Sequence, residues 1–74
     1  MDKPVRDYAA EIAKHQKSAS RMAEEAATML DLLPTLSEED ALESLVHIRT
    51  CVNEIEYCIG RIAVLGRLAA AEYK

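Results

Sequence analysis

The sequence contains no Phe and no Trp, and it has only two Gly, two Pro and two Cys among 74 residues. Without these large aromatic side chains, the core has to be built from Ile, Leu, Val, Met and many Ala. The chain also lacks a glycine-rich phosphate loop and a nucleophile elbow, and neither of its two histidines has an evident acid–base partner. We therefore expect a protein that is not an enzyme and has no cofactor.

The two cysteines, Cys51 and Cys58, are seven residues apart. On one helix this spacing separates their backbones by about 10 Å, which is beyond the reach of a disulfide. We interpret them as buried, reduced thiols, which suit a reducing cytoplasm. No signal-peptide pattern opens the sequence, and charges interrupt the apolar stretches well short of about 20 residues. The expectation is a soluble cytoplasmic protein, in the host cytoplasm if viral, with no membrane partner.

Two runs of apolar residues keep a heptad spacing along almost the whole chain. The first run is Val5, Tyr8, Ile12, His15, Ala19, Met22, Ala26, Met29 and Leu33. The second run is Ala41, Leu45, Ile48, Val52, Ile55, Ile59, Ile62, Gly66 and Ala69. Alternating steps of three and four predict helices that pack along their length. The predicted fold is an all-α, antiparallel helical hairpin.

Local signals place the ends of the two helices within one domain, residues 1–74. Asp2 or Lys3 is predicted to start helix 1, which spans about residues 3–33. Pro34 then stops the helix because its ring disfavours helical dihedrals in the preceding residue. After a turn over residues 34–37, Ser37 is predicted to cap helix 2, which spans about residues 38–72 and has carboxylates in its first turn.

A single hairpin of this length leaves part of its apolar surface exposed, because each helix has only one neighbour. We therefore expect a homo-oligomeric four-helix, or larger, bundle. Gly60 and Gly66 lower helix stability by about 1 kcal/mol each relative to Ala, which favours close contact with another helix at these positions. The stretch from Ile59 to Ala71 is apolar on nearly every side. The predicted interface residues are Ile59, Ile62, Ala63, Val64, Gly66, Leu68 and Ala70.

The net charge of −4 conceals an uneven distribution. Residues 1–23 carry a net +2, residues 24–56 a net −8, and residues 57–74 a net +2. Folding at Pro34 therefore predicts an acidic turn end and a basic open end. The basic end is either a solvated face that attracts the acidic turn of another copy, or a site for an anionic small molecule or RNA. The predicted ligand-binding residues are Arg6, Lys14, Lys17, Arg21, Tyr57 and Arg61.

His15 and a group of potential metal ligands on helix 2 are also considered as functional sites. His15 lies within the apolar seam, where a polar residue that fixes the register is favoured over a ligand contact or a pH sensor. A face of helix 2 carries four side chains of types that zinc accepts, namely His47, Cys51, Glu54 and Cys58. Only His47 and Cys51 are close enough to hold one ion, and a second chain would have to complete the site. The sequence therefore predicts no metal site.

The hairpin length, the segment LSEEDALESL after the turn and the segment CIGRI give the chain a resemblance to known helical families. It resembles the plasmid repressor-of-primer (Rop) hairpin, an antiparallel four-helix dimer that binds paired RNA loops on helix 1. It is also similar to oligomeric phage sponges of the anti-CBASS type, which trap cyclic nucleotides between subunits. The chain departs from the first family because its helix 1 lysine stripe carries no aromatic residue.

These resemblances imply a phage- or plasmid-type accessory or inhibitor protein that acts by binding. The favoured interpretation is an anionic ligand, nucleotide or RNA, held at a basic groove between subunits. The alternative is an inhibitor or adaptor that docks a host protein on apolar helix faces around Val64 and Leu68.

Overall fold

The computed structural model describes residues 6–72 and shows an antiparallel helical hairpin. Helix α1 spans Tyr8–Leu32, a 3₁₀ turn spans Leu33–Thr35, and helix α2 spans Glu38–Glu72. The molecule is a rod with extents of 61 × 16 × 15 Å. The predicted all-α hairpin is confirmed at the level of one chain. Within residues 6–72, neither helix has a stretch both long and apolar enough to cross a membrane.

Side-chain caps set the start of both helices. The Asp7 carboxylate accepts a hydrogen bond of 3.0 Å from the Ala10 amide, so α1 begins at Tyr8. This start is later than the predicted one at about residue 3, since Arg6 and Asp7 are not helical. The predicted cap at Asp2 or Lys3 lies outside the described residues. The predicted Ser37 cap is confirmed, since its hydroxyl accepts a hydrogen bond of 3.2 Å from the Asp40 amide.

The turn closes the hairpin without a left-handed residue. Pro34 sits within the 3₁₀ turn, where its missing amide leaves no helical hydrogen bond unmade. Within the turn, the Thr35 hydroxyl donates a 2.7 Å hydrogen bond to the Leu32 carbonyl, which satisfies one acceptor at the end of α1. The chain then becomes extended at Leu36, and α2 returns along α1.

The seam between the helices matches the predicted heptads completely on α1 and only in part on α2. Every predicted α1 position in the described residues is buried or half-buried: Tyr8, Ile12, His15, Ala19, Met22, Ala26, Met29 and Leu33. Val5 lies outside the described residues. The α2 seam consists of Ala41, Ser44, Ile48, Cys51, Ile55, Cys58, Ile62, Leu65 and Ala69. Leu45, Val52, Ile59 and Gly66, which were expected there, are exposed.

On α2, the stripe of Ser44, Cys51 and Cys58 faces α1 in place of the neighbouring stripe of Leu45, Val52 and Ile59. Ser44, Cys51 and Cys58 are small, and they face an α1 seam that is itself narrow at Ala19 and Ala26. Small residues on both sides let the helices approach closely, which leaves the larger aliphatic stripe beside the seam. Of residues 6–72, only Ala26, Cys51, Cys58 and Leu65 are buried.

The predicted subunit-interface residues do not all lie on one surface. Ile62 is half-buried on the same stripe as Ile48 and Ile55, and it therefore packs towards α1 within the chain. The remaining six are exposed in the single hairpin: Ile59, Ala63, Val64, Gly66, Leu68 and Ala70. The stretch Ile59–Ala71 thus contributes one stripe to the hairpin seam and leaves the rest of its apolar surface open.

Candidate functional site

The polar contacts between the two helices lie on one side of the hairpin. The His47 imidazole donates a hydrogen bond of 3.0 Å from Nε2 to Oε1 of Glu25. The rings of His15 and Tyr57 meet edge to face, with centroids 6.1 Å apart. We call this side the polar flank. It is formed by Glu11, Lys14, Lys17, Arg21 and Glu25 of α1 and by His47, Tyr57 and Arg61 of α2.

Three cations on α1 belong to the polar flank because of their helical spacing. Lys14 follows Glu11 by three residues, and Arg21 precedes Glu25 by four, so both project to the side of those carboxylates. Lys17 lies one helical turn from both Lys14 and Arg21. All three cations are exposed, and the two ion pairs formed within residues 6–72 involve none of them. They form a positively charged stripe on α1. Across the seam, the Tyr57 ring contacts His15 and its side chain is 60% exposed.

The two other predicted ligand-binding cations are close to a carboxylate. Arg6 donates two hydrogen bonds to Glu11, of 2.5 and 2.8 Å, and its guanidinium lies 5.1 Å from the Tyr8 ring centre. Hydrogen bonding from Arg6 lowers the pKa of Glu11, and the charge of Arg61 lowers this pKa further. Arg6 and Arg61 are therefore partly neutralised by Glu11, unlike the stripe of Lys14, Lys17 and Arg21.

The open end of the hairpin holds a cleft of about 620 Å³. Its described lining consists of Arg6, Asp7, Tyr8, Ala9, Ile12, Ala69 and Glu72. Ala9, Ile12 and Ala69 contribute apolar surface, and the lining also includes two carboxylates and one guanidinium. Within residues 6–72, the lining of this cleft is thus mixed in charge, and the accessible positive charge lies further along α1.

The side of the hairpin opposite the polar flank is apolar. Leu45, Val52 and Ile59 recur every seven residues on α2, on the other side of the seam from His47 and Tyr57, and they are 47%, 42% and 58% exposed. We call this side the apolar flank. It is formed by Ala9, Ala23 and Leu30 of α1 and by Leu45, Val52, Ile59 and Gly66 of α2, and the exposed Gln16 lies between Ala9 and Ala23 on its α1 stripe. A Cβ atom added at Gly60 or Gly66 would meet nothing within 4 Å, so the chain itself supplies no close helix contact at either glycine.

A second exposed apolar area lies near the C-terminal end of α2, where Val64 and Leu68 follow Tyr57 and Arg61 by one heptad. Val64, Arg67, Leu68 and Ala71 line a shallow depression of about 310 Å³. Val64 and Leu68 are each 41% exposed, in agreement with their expected orientation away from the seam. This depression is formed by one helix alone, and it is therefore a surface feature rather than an enclosed pocket.

A cluster of potential metal ligands connects the polar flank to the seam. Donor atoms of Glu25, His47 and Cys51 all lie within 4.8 Å of one another. Cys51 is a free thiol, and burial raises its pKa, with a further increase from the negative charge of Glu25. His47 and Cys51 were recognised as neighbours from the sequence. Glu54 and Cys58, on the same predicted face, are not part of this group in the described residues.

The carboxylate of Glu25 is the functional group that the sequence analysis missed. Pairing residues about the turn would have placed it near His47. Comparisons with known proteins give no further guide: no family model, no curated protein and no solved structure matches the chain.

Proposed function

We propose that this protein is a non-enzymatic binding protein that assembles through its apolar flank into a homo-oligomeric helical bundle. The supporting observation is the distribution of apolar surface in residues 6–72. Four residues are buried, whereas ten large apolar side chains are exposed. Leu45, Val52 and Ile59 fall on one continuous stripe, and removing such a stripe from water is the main driving force for association.

A second copy of this chain is the partner we propose for the apolar flank, because it would remove the exposed apolar side chains from water. Two hairpins that pack through this flank form a four-helix bundle, in which the seam and the new interface make one core. Leu30 of α1 adds to the same surface, and the open space at Gly66 leaves room for a neighbouring helix. In such a bundle the polar flank stays on the outside of each hairpin.

We propose that the ligand is an anion, a nucleotide or RNA, bound by the stripe of Lys14, Lys17 and Arg21. Like charges three and four residues apart on a helix repel one another, and a bound phosphate relieves that repulsion. Tyr57 lies on the same flank and offers an exposed ring on which a base can stack. The sequence predicted that the anion would bind in a basic groove between subunits. Assembly through the apolar flank instead leaves this stripe on the outer surface of each hairpin.

The charge stripe is tested by reversing it. Lys14→Glu combined with Lys17→Glu removes two charge-assisted contacts, so we expect the affinity for labelled RNA or nucleotide to fall by at least about 100-fold. The measurement is fluorescence anisotropy across a salt series, because phosphate contacts give a steep salt dependence.

The matched control is Asn53→Glu combined with Arg67→Glu, which also makes the net charge more negative but lies on the exposed back of α2, away from both flanks. Light scattering on both double variants should give the mass of the wild-type assembly. If the Lys14 and Lys17 variant keeps full affinity, the stripe is an ordinary solvated face. If it dissociates instead, the lysines are partners of acidic turn residues in another copy.

A protein partner is the second candidate, and the depression at Val64 and Leu68 is the observation that favours it. Both side chains are well exposed and lie beside Arg67, a common arrangement at interfaces. Weak salt dependence, together with loss of partner binding in Val64→Asp, would favour this function over anion binding. The resemblance to plasmid and phage hairpins supports a cytoplasmic accessory or inhibitor role in either case.

A further inference from the structure

The midpoint of the hairpin brings together an imidazole, a thiol and a carboxylate from both helices. His47 and Cys51 are one turn apart on α2, and Glu25 reaches them from α1. Cys51 is 2% exposed, whereas the side chains of His47 and Glu25 are 53% and 45% exposed. The cluster therefore has a fixed inner donor and two outer donors that solvent can reach.

We propose that Glu25, His47 and Cys51 bind one divalent transition-metal ion of the zinc class, which links α1 to α2. Nitrogen, sulfur and carboxylate oxygen are the donors that such ions take in proteins. Calcium and magnesium prefer sites made of oxygen alone, so the thiol and the imidazole select against them. This site is independent of the proposed anion binding and of assembly.

The distances in the cluster are close to those of a bound ion. In a tetrahedral zinc site, neighbouring donor atoms lie about 3.3–3.8 Å apart, given metal–donor bonds of 2.0–2.3 Å. The Glu25 and His47 donor atoms are already 3.0 Å apart, and no pair among the three residues exceeds 4.8 Å. The two exposed side chains have room to rotate towards the thiol, which stays fixed in the seam.

Metal binding at this site is balanced in charge. The Cys51 thiol loses its proton to solvent, and the sulfur lone pair that remains binds the ion. His47 donates the lone pair of one ring nitrogen, and Glu25 donates one from its ionised carboxylate. A divalent ion with one thiolate and one carboxylate has no net charge, so a buried sulfur anion is compensated. A water molecule completes the coordination on the exposed side.

The first test uses Co²⁺, which reports a bound thiolate through a sulfur-to-metal charge-transfer band. Reduced protein freed of metal with a chelator is titrated with Co²⁺, and then Zn²⁺ is added as a competitor. We expect one ion per chain, a charge-transfer band, and loss of the band on addition of Zn²⁺. Absence of the band in reduced, helical protein would overturn the proposal.

The two cysteines provide a matched pair of variants. Both are 2% exposed in the seam and lie one heptad apart, but within residues 6–72 only Cys51 belongs to a group of three potential metal ligands. Cys51→Ser should abolish the band, whereas Cys58→Ser should keep it. The reverse result, or equal loss in both folded variants, would contradict the assignment.

Variants of the exposed donors keep the test valid if a seam substitution unfolds the chain. His47→Gln and Glu25→Gln change exposed side chains, so circular dichroism should show an intact hairpin. Each should weaken Zn²⁺ binding by at least about tenfold, a loss within the range that even outer-shell partners of a metal site cause. If both variants bind Zn²⁺ as tightly as the wild type, the cluster is not the metal site.

Discussion

The two flanks of the hairpin differ in how their side chains are satisfied. On the polar flank, Glu25 pairs with His47 and the ring of Tyr57 meets that of His15, so that side chains connect the helices across the seam. On the apolar flank, Val52 and Ile59 are as large as seam residues and yet remain exposed. The comparison teaches that contacts within one chain satisfy the side chains of one flank and leave the large apolar side chains of the other exposed.

The largest expected effect comes from placing a charge on the apolar flank. Burying an Ile side chain contributes about 1.5–3 kcal/mol, and a symmetric dimer buries two copies. Ile59→Asp should therefore raise the dimer dissociation constant by at least about 100-fold, as measured by sedimentation or light scattering.

Thr50→Asp adds the same charge on α2 away from the apolar flank, and this control should leave the mass unchanged. If wild-type protein at micromolar concentration has the mass of one chain with full helicity, the flank does not drive assembly.

A smaller effect is expected at Gly66, where bulk can be separated from helix propensity. Gly66→Ala and Gly66→Leu gain nearly the same propensity, about 0.8–1 kcal/mol, because Ala and Leu are both strong helix formers. Neither side chain is obstructed within the chain, since an added Cβ meets nothing within 4 Å. We expect Gly66→Ala to raise the melting temperature and Gly66→Leu to weaken assembly. Equal behaviour of the two variants would place the glycine on an open face.

The smallest effect concerns Arg6 and Glu11, an exposed pair at the start of the polar flank. The folded-state pKa of Glu11 lies below its ordinary value of 4.5, chiefly because of the Arg6 hydrogen bonds. The pair therefore stabilises the first turn of α1 fully above about pH 4.5, and this contribution is lost as the pH falls through the lower, folded-state pKa. In Arg6→Gln, the NMR titration midpoint of the Glu11 carboxyl should move back towards 4.5. An unchanged midpoint would show that the pair does not form in solution.

The heptad pattern predicted the hairpin and the α1 seam, and the helix-start signals predicted the Ser37 cap, because each depends on local spacing and chemistry. On α2 it selected Leu45 and Val52 over Ser44 and Cys51, since larger apolar residues were taken to face the partner helix. Steps of three and four both fit the pattern, and the close approach of α1 decides between them. The sequence therefore identified the apolar residues of α2 but placed in the seam a stripe that the hairpin leaves exposed.

Polar contacts across the seam were harder to predict than the seam itself. His47 and Cys51 are neighbours by helical spacing alone, but Glu25 joins them only through the register of the hairpin. The prediction of a basic open end was also incomplete. Arg6 forms an ion pair with Glu11, and carboxylates line the cleft, so this end has less accessible positive charge than the sequence indicated. Spacing reveals what shares one helix face, whereas ion pairing depends on both helices.

The pairing of residues about the turn has a consequence for the order in which the hairpin folds. Glu25 and His47 close a loop of 22 residues, whereas the proximity of Glu11 and Arg61 needs a loop of about 50, which costs about 0.7 kcal/mol more in chain entropy. We therefore expect contacts near the turn to form before those at the open end. On this expectation the open-end cleft closes last, while the cluster of Glu25, His47 and Cys51 lies where the early contacts are made.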